Sequence, residues 1–236
     1  YEGLNSAERL TEPMIRQNGA WQTVSWQTAL EYAAHALSRV RDEHGGAAIG
    51  ALGSGHSTVE ESFLLGQLVR GLGSGNVDFR LRQLDASADA ARAGVPWLGM
   101  SIEALARSDR LLIVGSFLRK DHPLLAARIR AAVRRGARVA MLHGAAEDLL
   151  MPVAARHTAA PSQWPTALAE ILVALLRARS LPALPGLAGI EPSAQAVQTA
   201  ELLASGQSVS ILLGNAVAQH PEYAALLRVA QALADA

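Results

Sequence analysis

Four glycine-bearing turns are the features of this chain whose spacing could do chemistry. Gly53-Ser54-Gly55 follows a short apolar run and precedes a helical pattern, so its backbone N–H groups could approach a phosphate at a helix N-terminus. The third glycine of the dinucleotide fingerprint is missing there. Gly71-Leu72-Gly73-Ser74-Gly75 follows a helix rather than a strand and reads as a left-handed helix stop. Gly115 and Gly214 each close a buried-strand run, and their loops fall where open α/β sheets bind ligands, at the carboxyl ends of strands. Downstream of each comes a His-Pro pair, His122-Pro123 and His220-Pro221. An isolated imidazole with no companion at metal-ligand spacing reads as a helix-cap neighbour rather than a ligand.

Other constellations fail on geometry or on missing residues. Glu60 and Glu61 point about 100° apart on a helix, so they cannot share a proton or flank one bond, and capping and solvation explain them. The chain has no Gly-x-Ser-x-Gly elbow, no His-Glu-x-x-His and no lysine after a glycine-rich loop, Lys120 being its only lysine. Arg128, Arg130, Arg134, Arg135 and Arg138 gather at the end of a helix, where cations complement the macrodipole.

With no cysteine, the 236 residues can form no disulfide, thiolate zinc site, iron–sulfur cluster or cysteine nucleophile. Lys plus Arg and Asp plus Glu both total 21, so no basic footprint points to nucleic acid. The apolar run from Ala167 to Leu176 is too short to span a bilayer, which needs roughly eighteen residues or more. The chain starts at Tyr1 rather than Met and stops within the helical pattern Tyr223, Leu226, Leu227, Ala230, Leu233, so it reads as a piece of a longer polypeptide.

The elements follow from periodicity. Ser25 stands before Trp26, Leu30, Ala33, Ala34 and Leu37, an N-cap ahead of one apolar helix face, with Trp21 and Trp26 expected as core or staple aromatics. Thr58 and Glu61 are spaced as a capping box before Phe63, Leu64, Leu68 and Val69. Leu111-Leu112-Ile113-Val114-Gly115, a helix from Pro123 to about Arg135, the turn at Gly136 and a strand from Arg138 to Leu142 make a βαβ crossover. Ile211-Leu212-Leu213-Gly214 and the helix after His220-Pro221 echo it, which suggests a duplicated unit. The fold class is α/β, with Rossmann-like parallel sheets flanked by helices. Residues 1–46 read as an extended arm and first helix, and 47–236 as strand–helix units with a soft boundary in the Pro- and Gly-rich stretch 181–192.

Arg9-Leu10, Pro13-Met14-Ile15-Arg16, Gly19, Trp21, Val24-Ser25-Trp26 and Ala29-Leu30 together resemble the entry into the molybdopterin oxidoreductase fold. The lead-in Tyr1-Glu2-Gly3-Leu4-Asn5-Ser6 is most similar to one branch, the large iron–sulfur subunit of bacterial NADH-quinone oxidoreductase, respiratory complex I. In the family, loops like those after Gly115 and Gly214 clasp the two guanine-dinucleotide arms of the cofactor, typically with a Gly-x-Asn. Here the first loop carries Phe117 in place of that Asn, and the second reads Gly214-Asn215-Ala216. The segment Asn76 to Asp85 resembles the stretch holding the family's metal ligand, and the count places Leu84 at the ligand position. An aliphatic side chain has no lone pair for molybdenum. Arg80 and Arg82 are then surface or ion-pair groups, with Asp78 or Asp85 as partners.

The resemblance implies a structural, cofactor-free segment with vestigial loops near Gly53, Gly115 and Gly214, no metal site and no catalytic residue of its own. It implies iron–sulfur clusters upstream in the full-length subunit and partners among the other subunits of the peripheral arm of complex I. It further implies a location on the cytoplasmic face of the bacterial inner membrane, without membrane insertion. Two alternatives stay open: a fragment of an active molybdopterin-guanine-dinucleotide oxidoreductase of the formate dehydrogenase or nitrate reductase type, and a nucleotide-binding module.

Overall fold

A computed structural model describes residues 2–79, 85–89 and 97–236. The chain divides into two compact units, Tyr1–Leu81 and Arg82–Ala236. By compactness the division thus falls at 81/82, whereas the composition of the sequence draws the arm boundary at 46/47.

In the first unit the expected arm is a β-hairpin. Strands β1 (Met14–Gln17) and β2 (Ala20–Thr23) pair antiparallel, Gln17 opposite Ala20. Asn18 and Gly19 join them with φ of 51° and 84°, the two left-handed residues that a tight two-residue hairpin turn requires. Ser25 caps α1 (Trp26–His44), its Oγ accepting from the Thr28 N–H at 3.1 Å. The apolar face of α1 is not buried among the described residues: Trp26 and Leu30 are 69% and 63% exposed, and Trp21 of β2 is 63% exposed, which corrects the core half of the expectation that the two tryptophans are core or staple aromatics. Their spacing is amphipathic, but the surface that would cover it is not among the elements this unit supplies.

A small parallel unit follows. β3 (Ala51–Leu52) and β4 (Val77–Asp78) pair through the crossover helix α2 (Val59–Gly71). Thr58 and Glu61 form the capping box, each side chain accepting from the other's backbone N–H. The glycine run after α2 is a helix stop. Gly73, at φ +81°, donates to the Arg70 carbonyl and Ser74 to that of Val69, the paired bonds of a Schellman turn.

The second unit is built on a four-stranded parallel sheet in the order β7-β6-β5-β8. The strands are β5 (Arg110–Val114), β6 (Arg138–His143), β7 (Ala155–Thr158) and β8 (Val209–Leu213). Helices α3 (Ile102–Arg107), α4 (Leu118–Asp121), α5 (Pro123–Arg134), α6 (Trp164–Ala178), α7 (Ala194–Ala204), α8 (Asn215–Ala218) and α9 (Tyr223–Asp235) complete it. Alternate strand residues feed two cores, as the period of two demands. Leu112, Val114, Ala140 and Leu142 pack with Leu168, Leu172, Leu203 and Leu226 of α6, α7 and α9. Leu111, Ile113, Val139 and Met141 pack with Leu105, Ala126 and Ile129 of α3 and α5.

The repeat read from sequence is present. Each of β5 and β8 runs into a glycine turn, a one-turn helix, a His-Pro pair and a longer helix. The copies differ at the proline. Pro123 opens α5, but Glu222 stands between Pro221 and α9. The 181–192 stretch connects α6 to α7, which pack together in one core, and Arg177 and Glu191 pair across it at 3.0 Å. No helix among the described residues is long and apolar enough to cross a membrane.

Candidate functional site

The order β7-β6-β5-β8 places a switch point between β5 and β8, because the chain leaves β5 toward β6 on one side and returns with β8 on the other. The two turns at its carboxyl edge are fastened together. Gly115 donates to the Leu142 carbonyl at 2.9 Å, Gly214 to that of Val114 at 2.8 Å, and Ala216 to that of Gly115 at 3.1 Å. A Cβ on Gly214 would stand 2.4 Å from Ser116 Cβ and 2.5 Å from the Gly115 carbonyl oxygen. Glycine is needed there for close approach. Gly115 needs it twice over, having φ +58° and a virtual Cβ 2.7 Å from a Val217 methyl and 2.8 Å from the Trp164 ring.

Trp164, the first residue of α6, is 1% exposed and donates its Nε1–H to the Ala159 carbonyl at 3.0 Å. Its indole stacks against two imidazoles. His143 and His220 both lie at ring-centroid distances of 6.0 Å, with interplanar angles of 26° and 28°. Phe117 meets the His143 ring edge-on at 4.5 Å.

The histidines differ in their bonding. His220 is satisfied: Nδ1 accepts from the Glu222 N–H at 2.9 Å, so Nε2 carries the hydrogen and donates to the Pro161 carbonyl at 2.9 Å. The cap-neighbour reading fits these bonds. His143, at the end of β6, is 2% exposed, and neither ring nitrogen has a hydrogen-bond partner among the described residues. Burial pushes its pKa below the ordinary 6.5; Glu147 and Asp121 oppose that and Arg156 reinforces it. Ser116 Oγ, Glu147 Oε2 and His157 Nδ1 are likewise buried and unbonded among the described residues.

The structure brings Gly115 and Gly214 together and leaves Gly53 in the other compact unit. Gly53 donates to the Asp78 carbonyl at 2.6 Å, and a Cβ there would meet only ordinary contacts. Leu84, Arg80 and Arg82 lie outside the described residues. Asp85 is placed by α9: its carboxylate accepts from the Ser87 hydroxyl and from the Ala224 N–H at 2.8 Å, which hold its pKa below the ordinary carboxylate range. No cluster of three or more His, Cys, Asp or Glu side chains among the described residues could hold a metal ion. His143, Ser116 and Trp164 carry no signal in their local spacing; only the pairing of β5 with β6 and the docking of α6 assemble them. A groove of about 580 Å³ runs along β8 and α9 and reaches the Gly214 turn, lined by residues including Trp97, Met100, Leu213, Gly214 and Leu227. Of the residues at the stacked rings it includes none.

Residues 9–236 match the molybdopterin oxidoreductase family. YrhE of Bacillus subtilis (strain 168), provisionally named a formate dehydrogenase, is 31% identical over 136 residues, covering 56% of this chain and 14% of YrhE. YjgC of the same organism, named a probable oxidoreductase, is 33% identical over 144 residues, covering 59% and 15%. The matched region therefore spans only about one seventh of these curated relatives. The solved acetylene hydratase from Pelobacter acetylenicus shares the fold with a TM-score of 0.62 at 15% identity, over 96% of this chain and 35% of that one.

Proposed function

The chain belongs to the molybdopterin oxidoreductase family, and from that premise we propose that it is a structural segment of the fold that holds no pterin cofactor. We further propose that it serves in the large iron–sulfur subunit of a bacterial NADH-quinone oxidoreductase. The observation that carries the cofactor-free reading is the packing of Trp164 over the Gly115 turn that ends β5. An indole pressed over Gly115 occupies the space above the turn where a dinucleotide arm would approach the backbone. Phe117 stands where the family's loop carries Asn, and it packs against His143 instead of presenting an amide. The residues at this edge are therefore a poor fit to a guanine dinucleotide, and no reaction step is assigned to it.

The chain's own work on this reading is packing. It has no thiolate for an iron–sulfur cluster, so clusters carried by the parent subunit take their ligands from other parts of it. Exposed apolar side chains on the first unit, Trp26 and Leu30 on α1 and Val59, Phe63 and Leu64 on α2, support a role in assembly. Large apolar faces of this kind pack against further protein, here the remaining parts of the subunit and its neighbours in the peripheral arm at the cytoplasmic face of the membrane.

A second reading is favoured by one observation, the formate dehydrogenase name of relatives 31% and 32% identical. It makes the chain part of an active formate-oxidising enzyme. Affinity purification of the parent polypeptide, followed by dye-reduction assays with NADH and with formate as donors, separates the two. NADH-dependent reduction by the purified assembly is expected; formate-dependent turnover would overturn the proposal.

A further inference from the structure

Trp164 is held as a bound ring would be held. Two imidazoles stack against its indole, a backbone carbonyl accepts its N–H, and Gly115 shapes its seat. A Cβ on Gly115 would stand 2.8 Å from the ring, whereas one on Gly144, at 3.8 Å, would make an ordinary contact. These glycines end β5 and β6, at the edge where parallel sheets take ligands. Beside the seat, Ser116 Oγ and both nitrogens of His143 are buried yet hydrogen-bond to nothing among the described residues.

We infer that the seat over the Gly115 turn, at the carboxyl end of β5, is a planar-ring site that the chain fills with its own Trp164, and that the site accepts an uncharged, indole-sized ring from solution once Trp164 is truncated. Removal of a buried ring from a rigid apolar surround leaves a cavity that binds a ring of matching shape. Leu142, Val114 and Val217 supply that surround, and the Ala159 carbonyl remains to receive a ring N–H. The inference rests on the cofactor-free reading and deepens it, because it states what took the ligand's place.

The test is thermal unfolding of the full chain and of its Trp164→Ala variant, with and without indole. The variant is expected to melt below the parent and to regain about 3–6 °C at an indole concentration tenfold above its dissociation constant. The parent is expected to show no shift, and neither is a Trp97→Ala variant, whose ring lies exposed outside the seat. Absence of an indole shift in Trp164→Ala would overturn the inference. Should that variant fail to fold, Trp164→Leu and refolding with indole present decide the matter. Folded protein recovered only with indole supports the site, and failure of both variants to respond to indole refutes it. Guanosine monophosphate is added to the parent in parallel. A shift there would contradict the cofactor-free reading, whereas a silent Trp164→Ala contradicts this inference alone.

Discussion

Replacement of Gly214 by Ala tests the fastening of the two turns at the carboxyl edge. The backbone φ at Gly214 is −86°, so no left-handed strain enters and the effect is steric alone. The new methyl would lie 2.4 Å from Ser116 Cβ and 2.5 Å from both Ser116 Cα and the Gly115 carbonyl oxygen. Optimal carbon contacts are about 3.5–4.0 Å, so the turns must separate by roughly 1 Å. Overpacking of that kind costs about 1–3 kcal/mol. The separation also strains the bonds from Gly214 N–H to Val114 and from Ala216 N–H to Gly115, at about 1 kcal/mol for each one lost. A total of about 2–4 kcal/mol lowers the melting midpoint by roughly 4–16 °C in a chain of this size. Calorimetry or urea titration reads the change. Two comparisons isolate the cause. Gly55→Ala and Gly75→Ala, where nothing lies within 4 Å and φ is not left-handed, should both leave stability unchanged. A Gly214→Ala midpoint equal to that of Gly55→Ala would show that the two turns do not depend on close approach at Gly214.

Three further outcomes are expected. Gly136→Val should destabilise by roughly 1–3 kcal/mol in urea titration, because Gly136 closes α5 at φ +106° with Ala137 N–H bonded to the Ala132 carbonyl; an unchanged midpoint would remove the turn's requirement for glycine. His143 should make the fold acid-sensitive. Its folded pKa lies below the ordinary 6.5, so the unfolded chain takes up the proton first, and stability is full above pH 6.5 and is lost as pH falls through the folded value. His143→Phe should flatten that limb of the stability curve, and an identical pH profile would show that the imbalance lies elsewhere. At lower pH Asp109 should contribute, since the Gln207 and Ser208 N–H groups hold its carboxyl below the ordinary 3.8. That stability is present above 3.8 and is lost as pH falls through the folded value; Asp109→Asn should shift the acid midpoint, and no shift would contradict the assignment.

The central parallel strands were legible because burial on both faces writes itself as continuous apolar runs, Leu111 to Val114 and Val139 to Leu142. Helix caps were legible because they are local: Ser25 to Thr28, Thr58 with Glu61, and Gly136 after α5. β7, Ala155-Arg156-His157-Thr158, escaped notice because it carries no apolar run, whereas the other edge strand, β8, has Ile211-Leu212-Leu213. Trp21 and Trp26 misled for the opposite reason, since an amphipathic pattern records that a face is covered without saying by which chain. The glycines of the candidate site could be picked out as strand-end turns, yet only the register of β5 against β6 and β8 brings Gly115 and Gly214 together. Trp164 and His143 were invisible because their meeting is tertiary, with an edge strand and a short 3-10 turn between them.

The central claim is that this family member keeps the fold while its own aromatic side chains take up the cofactor's crevice. The most direct measurement is metal and pterin analysis of the purified parent polypeptide, by elemental mass spectrometry and by fluorescence of the oxidised pterin. Molybdenum and tungsten are expected far below one atom per chain, with no pterin signal. Stoichiometric metal together with pterin retained at Gly115 and Gly214 would contradict the claim.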